Sequence, residues 1–157
     1  MEPFSTPITQ HLDKRGVAYR VLHHDTPATT VEDAAKQRGI QSSQMVKCIA
    51  FKDMGGLLAL ACVPGDRSAD PKKVRAILSC RRMTCLSKEE VEQVTGYSIG
   101  TVTPLLLGST MEIFIDPVLK TAPFVTISSG NNMAGVALDL QDLVELCNAR
   151  WASICRD

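Results

Sequence analysis

This sequence predicts one domain of mixed α and β structure, and three observations point to it. Two β-rich runs flank Asp53-Met54-Gly55-Gly56, which reads as a hairpin turn. Several apolar-faced segments carry helix caps, and the bulk composition is that of an ordinary globular core.

A chain of 157 residues can bury one core without disulfides or structural metal. Hydrophobic residues make up 45% and charged residues 22%, which excludes disorder. Basic and acidic side chains balance at 17 each, so a nucleic-acid contact must come from a local basic patch. No apolar run reaches membrane-span length, and Met1-Glu2-Pro3-Phe4 lacks the basic-then-apolar order of a signal peptide. A cytoplasmic protein with no membrane partner is expected. The six cysteines (Cys48, Cys62, Cys80, Cys85, Cys147, Cys155) then read as buried, reduced thiols. None has the spacing of a zinc knuckle, so neither metal nor cofactor is expected.

Each element has a local reason. Thr6-Pro7 starts a helix that runs to about Arg15 and stops at Gly16. Tyr19 to His23 reads as a strand, and Thr30 with Asp33 caps a helix ending near Gly39. Met45 to Lys52 and Leu57 to Val63 form the hairpin. The second of these has no polar residue, so it should be central and covered on both faces. Asp70-Pro71 opens a helix to about Leu78, and Ser87 with Glu90 opens another that ends before Gly96. Met111 to Ile115 and Pro123 to Ser128 read as strands, with a turn at Ser129-Gly130-Asn131-Asn132 and a further strand at Val136 to Leu138. Asp139 caps a last helix whose apolar face is expected to include Leu140, Leu143, Val144, Cys147, Trp151 and Ile154.

Four groups of residues could carry chemistry. Period-two alternation puts Lys47 on the face of Met45, Ile49 and Phe51. It is either a strand-end lysine reaching water or an ammonium at the mouth of a pocket. Gly96 to Pro104 is either a connecting loop or a fixed loop whose N–H groups face a substrate. Ser128-Ser129-Gly130 is either a hairpin turn or a strand end that meets a ligand. Lys72, Lys73, Arg75, Arg81 and Arg82 form either a solvated face or a phosphate-binding patch. His23, His24 and Asp25 hint at an imidazole–carboxylate pair, but no nucleophile elbow accompanies them.

In order and spacing these pieces resemble the YbaK/EbsC family, which includes the editing domain inserted in some prolyl-tRNA synthetases. The resemblance rests on Lys47 in a Val-Lys-x-Ile strand and on Gly100-Thr101-Val102-Thr103-Pro104, preceded by Thr95-Gly96-Tyr97. It rests also on Ile127-Ser128-Ser129-Gly130, and on 148–154 as a C-terminal helix. It implies an α+β fold with a mixed, strongly curved, partly barrel-like sheet surrounded by helices. It also implies deacylation of mischarged proline tRNA, with cysteine as YbaK's usual target and alanine or other small residues removed by sister subfamilies. Lys47, Gly100 and Thr101 are the expected catalytic group. Thr30, Val102, Thr103, Pro104, Ser128, Ser129 and Gly130 are expected to bind substrate, and the five basic residues to bind tRNA. The partners would be aminoacyl-tRNA and, for its selectivity, prolyl-tRNA synthetase, with no DNA.

An ammonium is charged at neutral pH, so Lys47 is cast as an electrostatic anchor or carbonyl polariser rather than a base. Amides around Gly100 to Thr103 would hold the acyl group or the oxyanion, and the substrate itself would assist attack. YbaK has Gly-Gly at Gly100-Thr101, serine at Thr103 and an acidic residue that aligns with Gly135. Thr101 and Thr103 are therefore expected to narrow or reshape the pocket. The absence of a histidine after His24 favours the YbaK branch over the alanine-specific one. A binding module without activity and a generic ester hydrolase are the competing readings.

Overall fold

The computed structural model describes residues 4–157, so the leader reading on Met1 to Pro3 lies outside the described residues. Thr6 and Thr9 cap one another reciprocally to start α1 (Pro7–Lys14), which ends as expected before Gly16. β1 (Tyr19–His23) follows. Then α2 (Val31–Arg38) is capped by Thr30 and ended by Gly39 at φ 70°, a left-handed position that suits glycine. β2 (Val46–Lys52) and β3 (Leu58–Pro64) pair antiparallel in register from Val46–Pro64 to Lys52–Leu58. Asp53 closes their turn by accepting from the Gly55 and Leu57 amides at 2.9 and 2.7 Å.

α3 (Pro71–Leu78), β4 (Thr84–Cys85), α4 (Lys88–Thr95) and β5 (Glu112–Ile115) come next. The chain then continues with β6 (Val125–Ser128), β7 (Ala134–Leu138), α5 (Leu140–Cys147) and β8 (Arg150–Trp151). Two 3-10 turns, Ser42–Gln44 and Pro117–Thr121, were not expected. Among the described residues no helix is long and apolar enough to cross a membrane.

The strands form two open sheets, ordered β1-β7-β6 and β4-β2-β3-β5-β8. The mixed α and β architecture is as expected, while neither sheet closes on itself among the described residues, so the expected strongly curved, partly barrel-like form is not seen. The larger sheet is mixed. β3 pairs parallel with β5, and β5 parallel with β8, beside the antiparallel hairpin. β3 is central and Ala59 to Val63 are wholly inaccessible, as a strand without polar side chains requires. Leu60 and Cys62 join a core with α1, α5 and the smaller sheet, while Ala59, Ala61 and Val63 join a second core with Val74 of α3 and Ile154.

The C-terminus departs from its expected helix. Asn148 takes a left-handed φ of 52° and ends α5, so Trp151 and Ile154 are not on its apolar stripe. Trp151 instead pairs with Ile115 as β8, with the Lys120 ammonium 4.3 Å from its ring centre. The apolar spacing continued past Asn148, but an edge of β5 was available for pairing. The cysteines also correct an expectation. All six are free, yet only Cys62 and Cys155 are buried.

Asp116 ties this terminus down. The carboxylate is 1% exposed and accepts from Val118 N–H at 2.9 Å, Ile154 N–H at 2.8 Å and Cys155 N–H at 3.0 Å. Burial alone would raise its pKa; the N–H donors outweigh it and hold the group below its ordinary value. A depressed folded value means the contribution is complete above the unfolded value near 4 and is lost as pH falls through the folded one. Asp116→Asn should lower stability by about 2–3 kcal/mol at neutral pH and flatten the acid limb, read from urea midpoints over about pH 3 to 7.

Candidate active site

Among the described residues the backbones of the two sheets pair at one isolated parallel bridge, Met45 with Thr126. Beyond it β2 turns to β3 and β6 to β7, and no further β2–β6 pairing occurs among the described residues. A cleft of about 630 Å³ opens where they part. One wall is β2 from Met45 to Ile49, and another is the loop from Ser98 to Val102. Thr30, Ala34 and Arg38, spaced along one face of α2, form a third, and Ser128, Gly130 and Asn132 a fourth.

Lys47 lines this cleft, half-buried, and makes no ion pair among the described residues. The ladder fixes its neighbour. Gly65 N–H donates to Met45 C=O at 2.9 Å, which makes Lys47–Val63 a hydrogen-bonded pair and Cys48–Cys62 a non-hydrogen-bonded one. The N–H and C=O of Cys48 therefore point away from β3, along an edge that β4 and Leu86 cover only from Ala50 to Lys52. The Cys48 and Cys62 sulfurs lie 3.8 Å apart, and this contact together with burial pushes the Cys62 thiol up.

The glycine loop is a fixed structure. Tyr97 N–H donates to Thr95 Oγ1, and the Tyr97 hydroxyl donates to Leu105 C=O, joining the two ends of the loop. Burial pushes the Tyr97 phenol up to about 12, so it remains a donor at neutral pH. Its ring packs against Gly130, where an added Cβ would lie 3.4 Å from Cε1. Gly100 has φ 89°, which only glycine adopts without strain.

Thr101 does not present its amide to the cleft. Its N–H and hydroxyl both donate to Ser98 C=O, at 2.9 and 2.8 Å. The amides of Gly100 and Val102 have no partner among the described residues. Thr103 and Pro104 are buried behind the loop and do not line the cleft. Thr103 Oγ1 has no hydrogen-bond partner, so its bulk lies beneath the pocket rather than in it.

Thr30, Ser128 and Gly130 line the cleft, but Ser129 is turned inward and staples the turn by donating to Ala134 C=O at 2.7 Å. The five basic residues Lys72, Lys73, Arg75, Arg81 and Arg82 stand outside the cleft. Lys73 is bound to Asp157 at 2.8 Å and to Cys155 C=O at 2.7 Å. The His–Asp pair suggested by His23-His24-Asp25 does not form. His24 accepts from Arg38 Nε–H at 3.1 Å, which assigns its proton to Nδ1 and its donation to Asn132 C=O at 2.7 Å. His23 is exposed, edge-on to Phe4.

A family model described as an aminoacyl-tRNA editing domain matches residues 25–146. The chain belongs to that family. Its relatives include the uncharacterized protein YwhH of Bacillus subtilis (strain 168), 30% identical over 138 residues that cover 87% of each chain. The proline–tRNA ligase of Bacillus licheniformis is 32% identical over 97 residues, 62% of this chain but only 17% of the ligase. The crystal structure of hypothetical protein APE2540 superposes with a TM-score of 0.88 at 25% identity, over 95% of this chain and 99% of that one. A crystal structure described as that of a candidate trans-editing enzyme for prolyl tRNA synthetase gives 0.85 at 24% identity, over 98% and 100%. That match shows the shared fold.

The part of this editing domain that sequence reasoning missed is Arg38. It lines the cleft, half-buried, with Nη1 donating to Thr126 Oγ1 at 2.9 Å. Burial lowers its pKa to about 10, still well above neutrality. Gly135 makes its position available, since a Cβ there would come within 2.2 Å of Arg38 Nε and 2.3 Å of Cζ. No single-sequence signal pairs residues 38 and 135. They meet only through the sheet.

Two substitutions test this packing. Gly135→Ala should lower stability by about 1–3 kcal/mol, and by clearly less in an Arg38→Ala background, as a double-mutant cycle would report. Thr103→Val should be neutral or raise stability by up to about 1 kcal/mol, because it removes an unpaired buried hydroxyl; a clear loss in thermal midpoint would contradict that account.

Proposed function

We propose that this chain is a freestanding hydrolase that deacylates mischarged proline tRNA, with cysteinyl-tRNA as its target and small acyl groups such as alanyl as the alternative. The observation that supports it best is Lys47, without an ion pair among the described residues, lining the same cleft as Gly100 and Val102, whose amides have no partner there. Proline–tRNA ligases among the relatives, matched over a short part of their length, support proline tRNA as the carrier. The prolyl-tRNA synthetase would be the partner that supplies further tRNA selectivity, in the cytoplasm.

In this reading Lys47 anchors the terminal nucleotide or polarises the ester carbonyl, and the Gly100 and Val102 amides receive the oxyanion as it forms. Thr101 contributes by closing the turn to Ser98 rather than by donating to substrate. A protein general base is not apparent in the lining. His24 has both ring nitrogens engaged, and no carboxylate lines the cleft. The proton of the attacking water would then reach the departing ribose oxygen as the ester C–O bond breaks, relayed by the substrate itself through the neighbouring ribose hydroxyl or, on a cysteinyl ester, through the thiol. Positioning supplies much of the rate. Thr30, Ser128 and Gly130 would shape the acyl end, while Lys72, Arg75, Arg81 and Arg82 would reach tRNA phosphates outside the cleft.

The test is deacylation of proline tRNA charged separately with cysteine, alanine and serine, beside free aminoacyl esters. Cysteinyl-tRNA should turn over fastest, and Lys47→Ala should reduce kcat/KM by at least about 100-fold with an unchanged thermal midpoint. Turnover on none of the tRNAs would leave a binding module, and equal turnover on free esters a generic hydrolase.

A further inference from the structure

Arg38 is placed as a ligand-binding group and not only as a tie between α2 and the smaller sheet. Two of its nitrogens are fixed by inaccessible or nearly inaccessible partners: Nε by His24, 6% exposed, and Nη1 by Thr126, 0% exposed. The third, Nη2, has no partner among the described residues. Thr103 Oγ1 is the one sealed side-chain nitrogen or oxygen without a partner among those residues, so Nη2 is not sealed. Arg38 itself lines the cleft.

Charge points the same way. Arg38 makes no ion pair among the described residues, and no aspartate or glutamate lines the cleft. Asp33 on the same helix is taken up by Thr29 N–H and Gln37 Nε2. A structural tie could be made by a neutral amide. A desolvated cation without a counter-ion is an unfavourable way to make one, unless an anion arrives to compensate it. Two uncompensated cations, Arg38 and Lys47, therefore share one cleft.

We propose that Arg38 is a phosphate subsite, which takes the 5′-phosphate of the substrate's 3′-terminal nucleotide through Nη2. The choice of phosphate rests on the deacylase reading. In an aminoacyl ester the carboxylate is blocked and the α-amine is cationic, so phosphate is the anion available. Arg38 binds remote from the ester and sets the depth at which the terminal ribose sits, while Lys47 and the glycine loop handle the acyl end.

The experiment uses the full chain and compares ligands that differ only in that phosphate. By calorimetry, 5′-AMP should bind at least about tenfold tighter than adenosine, and Arg38→Gln should reduce the difference to about twofold. In turnover, the same variant should slow the cysteinyl ester of 5′-AMP about tenfold through KM, with the cysteinyl ester of adenosine nearly unaffected. Arg38→Lys keeps the charge without the fork and should retain part of the preference; it decides the matter if Arg38→Gln fails to fold.

Equal loss on both esters would overturn the proposal and leave Arg38 a structural tie. No wild-type preference for 5′-AMP would overturn it as well. Turnover of neither ester nor of any charged proline tRNA, with Arg38-dependent binding of 5′-AMP intact, would sink the deacylase reading and leave the phosphate subsite standing.

Discussion

The bridge between Met45 and Thr126 is the point on which the molecule's functional geometry depends. Each sheet pairs its own strands, and the two are bridged there before β2 and β6 part. The backbone groups of Cys48 beyond that point have no neighbouring strand on one side. An unpaired strand edge is ordinarily a liability. Here the edge faces a cleft whose other walls are a helix, a turn and a tethered loop, so a ligand can use it while a second chain cannot easily approach.

Rigidity around the cleft comes from behind it. β3 lies between two cores and has no accessible residue from Ala59 to Val63, so β2 rests on a fixed strand through its full register. Tyr97 fixes the glycine loop from both ends, and the ring of the same residue packs on Gly130 of another wall. Each wall therefore holds another in place. A site that works by positioning needs this, because small displacements weaken both carbonyl polarisation and oxyanion contacts.

The electrostatics follow from the space that a missing side chain leaves. Arg38 occupies the volume above Gly135, where a Cβ would meet its guanidinium. The cleft is left with cations and neutral donors. Its free energy is raised by charge without compensation, as is common where binding groups are prepared in advance of a ligand.

By itself the sequence determined the domain class, most element boundaries and the central place of β3. Those features are local: Thr6-Pro7, Ser87 with Glu90, Asp53 to Gly56 and an unbroken apolar run act over a few residues. Lys47, the Gly100 loop and Ser128 to Gly130 were legible as site candidates because their residue types are unusual for where they stand. Only the tertiary structure decided that Asn148 ends α5 and Trp151 joins β5, since Asn148 can accept a left-handed cap but does not require one. It also decided that Ser129, Thr103 and Pro104 face inward, and that the basic residues of 72–82 stand apart from the cleft. Arg38 could not be found at all from the chain order. Its partners His24, Thr126 and Gly135 are brought together by sheet pairing, which links residues over distances that no local pattern records.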